Sequence, residues 1–150
     1  MRLLSPEHVK LYPLPDDDDL RSMIRIGPLQ GMVHGVVLEA AIEIDRVDAS
    51  RMYLLFLSND VPYEDSLAIN LLDADLTTID RAGLGGMYAT GWFRDMELHD
   101  PATVTFSFFD EKEWCVAVLD TPERRVPFIG DATGVYRPFG FKRHFTVSAS

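Results

Sequence analysis

The side chains best suited to chemistry in this chain are four histidines, one cysteine and two close groups of aspartates. His8, His34, His99 and His144 are far apart in sequence, and neither His-x-His nor His-Glu-x-x-His occurs. No local zinc-binding pattern therefore exists. A metal site would need tertiary convergence, for which His34, Glu39 and His99 form the available set. His34 falls on the apolar face of its segment and reads as a core histidine with satisfied ring nitrogens. Cys115 is the single cysteine, so neither an internal disulfide nor a cysteine-based zinc site can form. It falls in mid-strand and is expected to be a buried, inert thiol. No Gly-x-Ser-x-Gly elbow is present for a serine hydrolase. Gly83-Leu84-Gly85-Gly86 has Tyr88 where a dinucleotide fingerprint needs its last glycine, and no lysine follows in P-loop spacing. These residues predict no catalytic side chain, no cofactor and no metal.

The aspartates read as surface. Asp16-Asp17-Asp18-Asp19 follows Pro15, and adjacent like charges repel, so an exposed turn is expected. Contiguous carboxylates also lack the alternating spacing of calcium ligands. Asp73-Ala74-Asp75 is a second turn. Read as a calcium loop, it has Thr78 at the obligatory glycine and Leu84 at the bidentate glutamate. The net charge is −10, distributed as −3 over residues 1–51 (nine acids, six bases), −8 over 52–110 (ten acids, two bases) and +1 over 111–150 (five acids, six bases). Such a field repels nucleic acid and anionic membranes and attracts a basic partner. The predicted partner-binding surface comprises Asp60, Glu64, Asp65, Asp73, Asp75 and Asp80, with Asp95, Glu97 and Asp100. The matching function is a non-catalytic protein-binding module, of the immunity or adaptor kind, directed at a basic protein. The alternative is a small-ligand-binding sandwich or barrel, or an enzyme built on one, with Tyr88, Trp92 and Trp114 lining an apolar pocket.

Four short segments resemble parts of three known families. Arg137-Pro138-Phe139-Gly140-Phe141 resembles the first half of the RNP1 strand of RNA-recognition modules, and Leu55-Phe56-Leu57-Ser58-Asn59 resembles the RNP2 strand. The resemblance implies aromatic side chains stacked on bases. Pro138 stands where that module has glycine, Lys142 where it has an apolar residue, and the final aromatic comes one place late, at Phe145. An aromatic core strand with a basic outer face is the simpler reading, and no nucleic-acid partner is expected. Asp80-Arg81-Ala82-Gly83-Leu84-Gly85 resembles the Asp-x-Ser-x-x-Gly turn of PilZ domains, β-barrels that bind cyclic di-GMP. Arg21 and Arg25 have the spacing of that family's arginine pair. Ala82 replaces the serine and the pair lies far upstream, so this segment reads as a glycine turn between strands. Asp73-Ala74-Asp75 resembles the metal-binding Asp-x-Asp of sugar-nucleotide transferases, but the chain is too short for that fold.

The elements that must position these residues are strands. A chain of 150 residues, 47% of them apolar, makes one domain spanning 1–150. Such a chain buries roughly 70% of its unfolded surface without disulfides or metal. No apolar run is long enough for a signal peptide or a membrane span, and with one cysteine a reducing cytoplasm is the expected location. Met32 to Asp45 alternates as one long strand, with Met32, Val36, Leu38, Ala40, Ile42 and Ile44 inward and Glu39, Glu43 and Asp45 outward. Met52-Tyr53-Leu54-Leu55-Phe56-Leu57 is apolar on both faces, as in a central strand. Residues 66–82 read as a strand and a turn at Asp73-Ala74-Asp75, with a helix as the alternative. Met87 to Leu98 reads as a strand with a bulge at Gly91. Thr103 to Leu119 predicts a hairpin with Asp110-Glu111-Lys112-Glu113 as its loop. That loop pairs Phe109 with Trp114, Phe108 with Cys115 and Phe106 with Ala117. The predicted fold is mostly β, an antiparallel sandwich or barrel, with an α+β variant carrying one short helix.

Overall fold

Segments that alternate or are rich in β-branched and aromatic residues become strands, and no helix occurs among the described residues. The computed structural model describes residues 1–46, 50–59, 65–85, 91–108, 112–124, 134–138 and 142–150. In chain order the strands are β1 (Arg2–Leu3), β2 (Val9–Pro13), β3 (Arg21–Ile26), β4 (Leu29–His34), β5 (Val37–Asp45), β6 (Arg51–Ser58), β7 (Ser66–Leu72), β8 (Thr78–Gly85), β9 (Arg94–His99), β10 (Thr103–Ser107), β11 (Glu113–Arg124), β12 (Val135–Tyr136) and β13 (Lys142–Ala149). They form a six-stranded sheet in the order β1-β5-β6-β7-β8-β12, a four-stranded sheet β13-β11-β10-β9 and a three-stranded sheet β2-β3-β4. All pairings are antiparallel. Among the described residues none of the sheets closes, so the fold is sandwich-like and the barrel expectation is corrected. The helix alternative for 66–82 is likewise corrected: β7, a turn at Asp73 and β8 occupy that stretch.

The six-stranded sheet is a middle layer with one core on each side. Met52, Leu54 and Phe56 of β6 pack with Phe106, Trp114 and Phe145 of the four-stranded sheet. Tyr53, Leu55 and Leu57 of the same strand pack with Ile24, Ile26 and Val33 of the three-stranded sheet. Burial on both faces explains why β6 is a continuous apolar run rather than an alternating one. Phe56, Phe93 and Phe106 form a triangle of rings with every centroid pair 5.1 Å apart. Trp114 is fully buried in the same core, a contribution of about 4–6 kcal/mol at ~25 cal/mol per Å² over its ~150–250 Å².

Two strand expectations change. The long strand from Met32 to Asp45 is broken at Gly35, whose φ of +113° turns the chain from the three-stranded sheet into the middle one. A Cβ at Gly35 would overlap the Leu57 side chain, so the corner requires glycine. A bulge between Leu38 and Ala40 then changes the register, and Glu43, expected outward, lies buried under the three-stranded sheet. Arg81 to Gly85, expected as a glycine turn, belongs to strand β8. The strand expected over Met87 to Leu98 is β9 alone, Gly91 precedes it, and Met87 to Thr90 lie outside the described residues.

The hairpin exists, but its register differs. Phe106 pairs with Trp114, Thr105 with Cys115 and Val104 with Val116. The offset from the expected register is odd, so every β11 side chain changes face. Trp114, Val116 and Val118 turn into the core, and Cys115 turns outward, half-exposed between Thr105 and Ser148. The expected buried Cys115 is thereby corrected. Phe109 lies outside the described residues.

Candidate functional site

Small residues on the three-stranded-sheet side of the middle sheet create a largely apolar cleft on which a few polar groups converge. Ala68 of β7 stands directly opposite Gly83 of β8, and neither fills the space above its strand. Leu57 flanks this pair on β6 and Tyr136 flanks it on β12. His34 and Gly35 at the end of β4, with Leu20, form the opposing wall. The resulting cleft has a volume of about 190 Å³. That is room for a body of roughly six to nine non-hydrogen atoms, since a ~150 Å³ cavity holds benzene.

One row further along the sheet, Asn70 pairs with Arg81. The fully buried Asn70 amide accepts from the His34 N–H (3.1 Å) and donates to the His34 carbonyl (3.0 Å). The side chain thus imitates a strand edge and fastens β4 to the middle sheet, setting the imidazole beside Arg81. At the mouth, Asn59 Nδ2 donates to Ser66 Oγ at 2.7 Å. Asn59 Oδ1 is buried with no hydrogen-bond partner among the described residues. Burying such an acceptor unpaired costs on the order of 1–3 kcal/mol.

The charges here are unequal. Arg21 is held by Asp17, with Nε to Oδ2 at 3.0 Å, and the Arg21 hydrogen bond is the main reason the Asp17 carboxyl titrates below its ordinary range. Arg81 has no such partner: its half-buried guanidinium lines the cleft and makes no ion pair or hydrogen bond among the described residues. Burial, then the positive charges of Arg81 and Arg21, push His34 below its ordinary value, with partial offset from Asp19 and Asp17. Near neutral pH the cleft therefore presents a neutral imidazole, one unspent guanidinium, an unpaired amide oxygen, the exposed Asp19 carboxylate 4.0 Å from Arg21, and otherwise largely apolar walls.

The residues singled out from sequence lie elsewhere. Trp92 is 67% exposed beneath the Arg94 guanidinium, 4.4 Å from its ring centroid, whereas Trp114 is in the core. They line no common pocket, and Tyr88 lies outside the described residues, so the expected aromatic pocket is corrected. Asp60 and Glu64 also lie outside the described residues. Asp65 and Asp73 flank the two ends of β7, roughly 26 Å apart by strand rise. Asp65 accepts from the Gly91 N–H at 3.0 Å. Asp73 Oδ1 accepts from the Asp75 and Thr77 N–H groups, both at 2.9 Å, and so holds the β7–β8 turn.

Asp80 is a correction. It is buried against Arg137, Nη2 to Oδ2 at 2.6 Å, and also accepts from the His144 N–H at 2.8 Å. The alternation of β8 points it, with Ala82 and Leu84, toward the four-stranded sheet. Among the described members of that acidic set, only Asp95, Glu97 and Asp100 follow one another along a single exposed edge, that of β9 and its end. His34, Glu39 and His99 do not converge: Glu39 accepts from Ser58, and His99 bonds Thr105 on the opposite outer sheet. Among the described residues no three His, Cys, Asp or Glu side chains gather as a metal-binding group.

Sequence reasoning missed Arg81, Asn59 and the Ala68–Gly83 pair. The signal available was the paucity of bulk at Ala68 of β7 and at Gly83 of β8. No protein-family model, curated protein or solved structure matches this chain.

Proposed function

We propose that the chain is a binding module whose cleft between β4 and the β7–β8 pair takes a small organic acid, its carboxylate on Arg81 and its apolar body over Ala68 and Gly83. The observation that carries this reading is the half-buried Arg81 guanidinium without a partner among the described residues, set in largely apolar walls. A charge-assisted bond in such surroundings contributes about 1.5–3 kcal/mol, roughly ten- to hundredfold in affinity. The unpaired Asn59 Oδ1 adds an acceptor for a hydroxyl or amino group on the same ligand. The cleft volume of about 190 Å³ limits the ligand to a small one. Thermal-shift and calorimetric titrations with benzoate, hexanoate and the neutral isostere benzamide test it. Saturable binding of an acid at least tenfold tighter than the amide is expected, with the preference lost in Arg81→Ala. Equal binding of acid and amide, or no saturation, contradicts it.

A second reading rests on the β9 edge, where Asp95 and Glu97 face outward and Asp100 follows. It supports docking of a basic protein, with affinity falling as salt is raised. Affinity for a basic partner that does not change with salt contradicts it.

A further inference from the structure

A second groove lies on the same side of the middle sheet, at the opposite end of β6 from Ser58, and its charge runs against that of the molecule. It is an open depression of about 660 Å³ where the β3–β4 hairpin end faces β1, β5 and β6. Its anchor is Glu43, only 7% exposed. Arg2 Nη2 lies 3.0 Å from one oxygen of that carboxylate, and Arg51 Nε lies 3.4 Å from the other. One buried acid therefore fixes two guanidinia, whose side chains remain 69% and 53% exposed. Lys10 of β2 and Arg25 of β3, directly opposite each other, also line the groove, from the strand face that alternates with the core residues Val9, Ile24 and Ile26. Both are exposed, and neither has an ion-pair or hydrogen-bond partner among the described residues. Like charges directly opposed on neighbouring strands are destabilising. The chain has 24 acids against 14 bases, so leaving this pair without a carboxylate is a costly arrangement that a bound anion would relieve.

We propose that this groove is a second, independent site for a short phosphate-bearing anion of the di- or triphosphate class. Fixed guanidinia match phosphate oxygens bidentately, and an unspent ammonium supplies the point charge for a further phosphate. Glu7 lines the groove and Asp45 lies 3.8 Å from Arg51, so the positive charge is local. The overall charge of −10 repels a long polyanion, whereas a compact one reaches the groove once inside the outer field.

The test is calorimetric titration at low ionic strength with inorganic tripolyphosphate, and with citrate as a carboxylate polyanion. One saturable site, at least tenfold tighter for tripolyphosphate than for citrate, is expected. The double substitution Lys10→Ser with Arg25→Ser is expected to weaken it at least tenfold. Because both side chains are exposed and mutually repulsive, its melting temperature stays equal or rises. Arg81→Ala is expected to leave tripolyphosphate binding unchanged, which separates this site from the cleft. Adenosine triphosphate binding tighter than tripolyphosphate points to a nucleotide source and weaker binding to free polyphosphate, and both support the class. Citrate binding as tightly, an unaffected double variant, loss of binding in Arg81→Ala, or no saturation would overturn the proposal.

Discussion

Asp80 ties two of the sheets together from a buried position. Its carboxylate joins β8 of the middle sheet to Arg137 and to the backbone of β13 in an outer sheet. The same guanidinium lies 4.3 Å over the Phe145 ring. Asp80→Ala removes the buried acceptor that Arg137 Nη2 and the His144 N–H share, so a loss of about 3–5 kcal/mol is expected in urea denaturation. An unchanged midpoint would show the pair to be dispensable. The histidines make a second residue-scale prediction. His34 is lowered by burial, Arg81 and Arg21. His144 is lowered by burial and by Lys142, Arg46 and Arg137, with Asp80 opposing. A folded-state value below the ordinary 6.5 means that the unfolded chain binds the proton more readily. The stability this provides is complete above about pH 6.5 and is lost as pH falls through the histidine range. The urea midpoint is expected to drop between pH 7.5 and 5.5, and a constant or rising midpoint contradicts the assignment.

At the scale of elements, the β4–β5 corner and the β10–β11 register are the decisive features. Gly35→Ala places a methyl group on Leu57 at a φ of +113°, and a cost of about 2–4 kcal/mol is expected from strain and overlap together. A denaturation midpoint equal to wild type would show that the corner relaxes freely. The register has a chemical readout: Cys115 faces outward beside Thr105, so iodoacetamide is expected to label it in the native protein without unfolding. Labelling only in denaturant would restore the buried register. What was legible at this scale follows from physical cause. Met52 to Leu57 are apolar on both faces because two sheets cover them, and that double burial is visible in sequence. The hairpin was legible as two strands but not in register, since Phe106 meets Trp114 as readily by pattern as Phe109 does. Gly35 was illegible because alternation continues across it, and only the Leu57 contact requires the break. Glu43 looked solvent-facing by alternation, which cannot reveal a third sheet above it.

Across the whole molecule, three layers share two cores, and the cleft lies where the middle layer runs out of bulk. Its location was illegible because Ala68, Gly83, His34 and Asn59 come from four separated segments joined only by pairing. The acidic composition was legible, but its grouping was not: Asp80 is spent on Arg137, Asp73 on its own turn, and the β9 carboxylates stand apart. The most direct measurement is a nitrogen-15 amide spectrum recorded during benzoate titration. Saturable shifts centred on Ala68, Arg81, Gly83, His34 and Asn59 are expected, with at least tenfold more benzoate needed to saturate them in Arg81→Ala. Shifts confined to the outer sheet of β9, β10, β11 and β13, or none at millimolar benzoate, would contradict it.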